Sequence, residues 1–218
     1  MKQRTLAKSV EIVGIGLHKG VPVKMRLEPL DSDMGIVFYR IDAGVTIPLK
    51  KEYVVDTKMA RVISTIEHLL SAVYAYGIDN LRIVIDNDEV PVLDGSSSGY
   101  CMLIEEAGIK ELDKSKKAIK IKKQVEVTTP EGKRVTLKPS NRIVYDFEIT
   151  FDHPAIGKQN FHFDYSIAEY KENISRALKG KKKSAEHIAK MKKRMAGVIP
   201  LHATTRATEV NQRQINQI

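Results

Sequence analysis

Apolar and polar residues alternate strictly from residue 21 to 28. Val21, Val23, Met25 and Leu27 are separated by Pro22, Lys24 and Arg26 and followed by Glu28, a pattern that predicts a strand with one buried face. Residues 36–39, 45–47, 53–55 and 81–86 are further strand candidates, and Gly14-Ile15-Gly16-Leu17-His18-Lys19-Gly20 reads as a glycine-rich turn. A helix is expected over residues 64–76, with Ser64 placed to cap it and Gly77 placed to end it. Asp94-Gly95-Ser96-Ser97-Ser98-Gly99 predicts a turn into a second helix ending near Gly108. The first half therefore reads as α+β, one sheet with two helices.

Residues 112–117 are strongly charged and read as a linker. Strand patterns resume beyond them at Ile119/Ile121, Val125/Val127 and Val135/Leu137, then at Ile143, Tyr145, Phe147, Ile149 and Phe151, and again at Phe161, Phe163 and Tyr165. Ser166-x-x-Glu169 is a capping box that opens a helix expected to run to about Ala177. A faint echo links the halves. Val10-Glu11 leads to Leu27-Glu28-Pro29 as Val125-Glu126 leads to Leu137-Lys138-Pro139, and both stretches read as hairpins opening a sheet. A duplicated domain is one explanation, although hairpins ending in Pro are common.

Composition narrows the classes. Hydrophobic residues make up 42% of the 218, enough for a real core, and no apolar run reaches the ~20 residues of a membrane-spanning helix. The start does not resemble a signal peptide, and the lone Cys101 fits a reducing compartment, so the cytoplasm is expected. Within Tyr100-Cys101-Met102-Leu103-Ile104 that thiol reads as a buried structural residue. The net charge of +9 is uneven. Residues 178–218 hold ten Lys and Arg against two acidic residues, a surplus of +8, which leaves the preceding 177 residues at +1. The body of the chain is therefore not a basic nucleic-acid-binding domain.

Thr65-Ile66-Glu67-His68 carries the strongest chemical signal. An imidazole beside a carboxylate is what a metal hydrolase uses, one group to hold the metal and the other to take a proton from water. Ser64-x-x-Glu67 is equally a capping box, in which Glu67 would only satisfy the backbone of the helix start. The residues alone leave both readings open.

Several segments in fixed order extend the picture. Ser9-Val10-Glu11 leads to the glycine-rich turn, followed by Ser64-Thr65-Ile66-Glu67-His68-Leu69-Leu70, Asp79-Asn80-Leu81 and Pro91-Val92-Leu93-Asp94-Gly95-Ser96-Ser97. Phe151-Asp152-His153-Pro154, Ile156-Gly157 and Ile174-Ser175-Arg176-Ala177 come later. Over about residues 1–177 the chain resembles the zinc-dependent UDP-3-O-acyl-N-acetylglucosamine deacetylases of lipid A biosynthesis in Gram-negative bacteria. The resemblance implies an α+β fold of two similar domains, each a two-layer sandwich of a sheet on two helices, with the active site between them. It implies release of acetate from the amide of UDP-3-O-acyl-N-acetylglucosamine. Glu67 matches the general base and His68 the first zinc ligand. His18 matches the glycine-rich turn but not the zinc shell and reads as structural. Asp94 reads as a turn former, and His153 as a surface residue at a strand end.

The same comparison sets limits. The Arg-Thr-Phe motif expected after Ile174-Ser175-Arg176-Ala177 is replaced by Leu178-Lys179-Gly180-Lys181-Lys182-Lys183, and no His-x-x-x-Asp follows. Only His187 and His202 lie farther on, and the connection from Asp56 to Ser64 is shorter than the family usually has. These features predict a first domain over residues 1–113, a partial and incomplete second domain over 118–177, and a family-foreign basic tail over 178–218. Zn2+ is the expected cofactor, although the remaining family ligands have no counterpart. The alternatives to an active deacetylase are a non-catalytic truncated remnant and tail-mediated binding to anionic partners. An incomplete second domain also predicts self-association.

Overall fold

Strand β3 (Pro22–Pro29) realises the period-2 pattern. Val23, Met25 and Leu27 are buried while Lys24 and Arg26 face solvent, in a computed structural model that describes residues 1–50, 63–151 and 157–177. It lies in a five-stranded sheet with β2 (Val10–Ile15), β4 (Ile36–Arg40), β5 (Val45–Pro48) and β6 (Leu81–Ile85), in the order β2-β3-β6-β4-β5. Every neighbouring pair is antiparallel except β4 with β6. Leu81, Ile83, Val84 and Ile85 of β6 are all buried, as expected of the strand at the centre of the sheet.

Two helices supply the other layer, α1 (Glu67–Ala75) and α2 (Ser98–Ala107). Leu69, Ala72 and Val73 of α1 join Tyr100, Cys101, Ile104 and Ala107 of α2 in one core with Met25, Leu27, Phe38 and Ile83 of the sheet. The molecule is α+β, as expected. Cys101 is a buried free thiol whose pKa burial pushes up to about 11, so it is a packing residue. Among the described residues no helix is long and apolar enough to cross a membrane.

The charged stretch that reads as a linker is strand. Strand β7 (Ile109–Ser115) pairs antiparallel with β1 (Lys2–Leu6), from Leu6↔Ile109 to Lys2↔Ser115. Its residues are mostly exposed, so it needs no apolar alternation. Arg4 pairs with Glu111 at 3.6 Å and Lys114 with Asp33 at 2.6 Å. Strand β1 itself escapes the hydrophobic pattern because its buried residues include Gln3 and Thr5. Asn80 donates to Gln3 Oε1 at 2.9 Å, and the Thr5 hydroxyl donates to the Asn80 carbonyl oxygen at 2.7 Å.

The second half contributes two hairpins and a short helix. Strands β8 (Val125–Thr128) and β9 (Arg134–Leu137) pair from Val125↔Leu137, matching the Val10↔Leu27 pairing of β2 with β3, so both stretches of the sequence echo are hairpins. Strands β10 (Val144–Thr150) and β11 (Lys158–Asp164) form a second hairpin, while Ile119 and Ile121 lie outside any strand. Helix α3 (Ile167–Asn173) is capped as expected, the Ser166 hydroxyl accepting from the Glu169 N–H at 3.0 Å, but it stops short of Ala177. The hairpin and α3 lean on α1, with the hydroxyls of Tyr74 and Tyr145 2.8 Å apart and those of Ser71 and Tyr170 2.7 Å apart. The strand expected at 53–55, the short 56–64 connection, His153, and His187 and His202 with their basic tail all fall wholly or largely outside the described residues.

Candidate functional site

The chain is still extended at Ser64, which corrects the capping-box reading. Ser64 sits in a parallel bridge with Glu89, its N–H donating to the Asp88 carbonyl oxygen at 2.8 Å and its carbonyl oxygen accepting from Val90 at 3.3 Å. Its hydroxyl donates to the Asp88 carbonyl oxygen at 3.2 Å rather than accepting from α1. Ile66, not Ser64, is the N-cap, and its side chain makes no capping hydrogen bond. Glu67 is consequently the first helical residue rather than the third, and its carboxylate cannot close a box with Ser64.

Thr65 turns the chain from bridge to helix. It has φ of +62°, a left-handed conformation that costs a β-branched residue about 1–3 kcal/mol unless its surroundings hold it there. Against it stands Glu89, 2% exposed. Its Oε1 accepts the Thr65 hydroxyl at 2.7 Å, and the His18 N–H donates to Oε2 at 3.0 Å and to Oε1 at 3.2 Å. Nδ1 of His18 lies 2.6 Å from Oε1. Burial works to raise the Glu89 carboxyl, but the bonds from Thr65 and His18 outweigh it and hold the group below the usual carboxylate range. Gly16 lets the carboxylate in, since a Cβ there would stand 2.7 Å from Oε2.

Glu67 is exposed and His68 half-buried at the head of α1. His68 lines a small cavity with Thr65, Pro91, Val92, Gly95 and Tyr100. Tyr100 donates its hydroxyl to the Pro91 carbonyl oxygen, and burial raises its phenol, helped by the negative charges of Glu67 and Asp94. Asp94 forms the expected turn, its Oδ1 accepting from the Ser96 N–H at 2.9 Å and the Ser96 hydroxyl at 2.8 Å. The fold thus gathers the glycine-rich turn, the Glu67-His68 pair and the Asp94 turn at one end of the sheet. His18 stands in that turn with its N–H and its Nδ1 both against Glu89.

A zinc ion in a hydrolytic site normally takes three protein ligands. Among the described residues no three His, Cys, Asp or Glu side chains come together to hold a metal. The described residues therefore do not complete a zinc shell.

Residues 3–198 match the family model of UDP-3-O-acyl N-acetylglycosamine deacetylases. The chain belongs to this family. It is 84% identical over 184 residues to a UDP-3-O-acyl-N-acetylglucosamine deacetylase of Aliarcobacter butzleri (strain RM4018), an alignment covering 81% of this chain and 61% of that protein. It is 61% identical to the like-named protein of Nautilia profundicola, with 81% and 63% covered, and 59% identical to that of Helicobacter hepaticus, with 81% and 61% covered. The chain thus spans about three fifths of the length of these curated relatives.

The end of the sheet that carries Glu67 and His68 contains one buried carboxylate that sequence reasoning missed. Glu89 sits in Asn87-Asp88-Glu89-Val90-Pro91, a stretch with the look of an acidic surface turn. Only its burial and its partners reveal it. The signal that could have found it is the pair of small or strained positions facing it, Gly16 and Thr65, and those become visible as a pair only once the chain is folded.

Proposed function

We propose that this chain hydrolyses the acetamido group of a UDP-linked, 3-O-acylated glucosamine, releasing acetate. The observation that carries the reading is the family match over residues 3–198 together with the Glu67-His68 pair at the head of α1. In this reading Glu67 is the general base, taking a proton from the water that attacks the amide carbonyl, and His68 is one donor to Zn2+. An amide is a poor electrophile, and the metal supplies Lewis-acid polarisation of its carbonyl and of the water.

The test measures zinc content and acetate release on the UDP-sugar, for the chain and for Glu67→Ala and His68→Ala. The reading expects zinc kept in Glu67→Ala and lost in His68→Ala, with acetate release abolished in both. Undiminished release by a folded Glu67→Ala variant would overturn it. The cytoplasm and the UDP-sugar are the compartment and partner that go with this reading. Self-association belongs to it as an expectation, and a single species at every concentration in sedimentation velocity would remove it.

A further inference from the structure

Glu89 is a carboxylate with no solvent to face, wedged between two chain segments distant in sequence, the Gly16–His18 turn and Thr65. It accepts from Thr65 at 2.7 Å, from the His18 N–H at 3.0 and 3.2 Å, and lies 2.6 Å from His18 Nδ1. Its own backbone is part of the strap that bridges Ser64 on one side, while the next residue but one, Pro91, bridges Gly16 on the other. Thr65 meets this carboxylate in a backbone conformation that a β-branched residue avoids, and α1 begins two residues later. The direction in which the helix leaves the bridge is set at residue 65, and so is the place where Glu67 and His68 stand.

We propose that Glu89 is a positioning residue, whose carboxylate locks Thr65 left-handed and thereby fixes Glu67 and His68 at the head of α1. The purpose of that placement rests on the deacetylase reading, whereas the placement itself can be measured without turnover. The constellation has a physical logic. A buried charge is tolerated only when donors surround it, and every donor here is also a contact that holds a loop in position. The bond to Thr65 is charge-assisted, stronger than a neutral hydrogen bond, which suits it to hold a strained backbone. Nothing else among the described hydrogen bonds of the Thr65 hydroxyl reaches a carboxylate; its second neighbour is His18 Nδ1 at 3.4 Å.

The experiment follows backbone amide resonances of Glu67 and His68, the His68 ring C–H resonance, and hydrogen exchange at Leu70, whose N–H donates to Ile66 at 2.9 Å in the first turn. The full chain is compared with Glu89→Gln, Thr65→Val, Thr65→Ser and the Glu89→Gln/Thr65→Val double variant. Glu89→Gln and Thr65→Val should each move the Glu67 and His68 resonances and speed exchange at Leu70 by about tenfold or more, with exchange at Ile85 in the sheet unchanged. The double variant should change them no further than the larger single change, and Thr65→Ser, which keeps the hydroxyl, should restore the original spectrum. Unmoved Glu67 and His68 resonances in a folded Glu89→Gln, or effects that simply add in the double variant, would overturn the proposal. If Glu89→Gln fails to fold, Thr65→Val against Thr65→Ser decides the matter by the same signals. Absence of acetate release from the original chain would sink the deacetylase reading and leave this result standing.

Discussion

Tyr165 donates its hydroxyl to the main-chain oxygen of Ala75 at 2.8 Å. Ala75 is the last residue of α1, where carbonyl groups lack intrahelical partners. The two preceding carbonyls are already taken, Tyr74 by the Gly77 N–H at 2.9 Å and Val73 by the Ile78 N–H at 3.1 Å. A tyrosine from the second half thus completes the end of a helix from the first. Tyr165→Phe removes that donor and keeps the ring packing on Tyr74 and Phe163. The expected loss is about 1 kcal/mol of unfolding free energy. Urea denaturation of the variant checks it, and a midpoint equal to the original would mean water replaces the tyrosine without loss.

Gly77 follows the same helix end with φ of +65°. The paired bonds from Gly77 to Tyr74 and from Ile78 to Val73 are those of a Schellman motif, which needs a left-handed residue at this place. Gly77→Ala should destabilise the protein by about 1–2 kcal/mol, because its Cβ meets nothing closer than the Arg4 guanidinium at 3.7 Å and the penalty is therefore one of backbone alone. Gly77→Asn, which tolerates this region better, should lose less. Equal losses for the two in thermal unfolding would argue against the backbone account.

The residues that could be read in advance are those whose role is local. Val23, Met25 and Leu27 announced their strand because burial on one face imposes a period of two, and Gly77 and Ser166 announced helix ends because those positions demand particular chemistry. Strands β1 and β7 could not be read this way. Gln3, Thr5 and Asn80 are buried as a hydrogen-bonded polar group, and β7 is charged along its length because it is exposed, so neither shows apolar alternation. At the site, Glu67 and His68 were legible as a motif, and the motif carried the family as well. Their surroundings were not. The capping box at Ser64 was locally reasonable and lost to a bridge with Glu89, a pairing set by the fold rather than by neighbouring residues.

Gly16 tests how closely that carboxylate is held. An alanine Cβ would stand 2.7 Å from Glu89 Oε2, and the carboxylate cannot swing aside without giving up its bonds to Thr65 and His18. Gly16→Ala should cost about 1–3 kcal/mol, as overpacking of a filled interior does. Shortening the opposing side chain should relieve the clash, so Gly16→Ala in a Glu89→Ala background should lose clearly less than it does alone. Denaturant titrations of the four proteins give the coupling. Strictly additive losses would show that the Gly16 turn is sensitive for a reason other than contact with Glu89.

Acid should find the same carboxylate. Glu89 is held below the usual carboxylate range in the folded protein, so the unfolded chain binds a proton there more readily than the folded one does. Its contribution to stability is therefore complete above the ordinary glutamate value, shrinks as the pH falls below that value, and is gone once the pH has passed the depressed folded value. Protonation would remove the negative charge that Thr65 and the His18 N–H donate to, and in Glu89→Gln that loss is already present at neutral pH. The variant should thus be less stable than the original at pH 7, and the two stabilities should converge as the pH is lowered through the acid range. Other carboxylates held low in the fold, such as Asp33 and Glu105, titrate in both proteins and cancel in the difference. Urea midpoints of both proteins between pH 7 and the acid limit of folding supply the measurement. A constant gap at every pH would mean that Glu89 stabilises the fold by shape and not by charge.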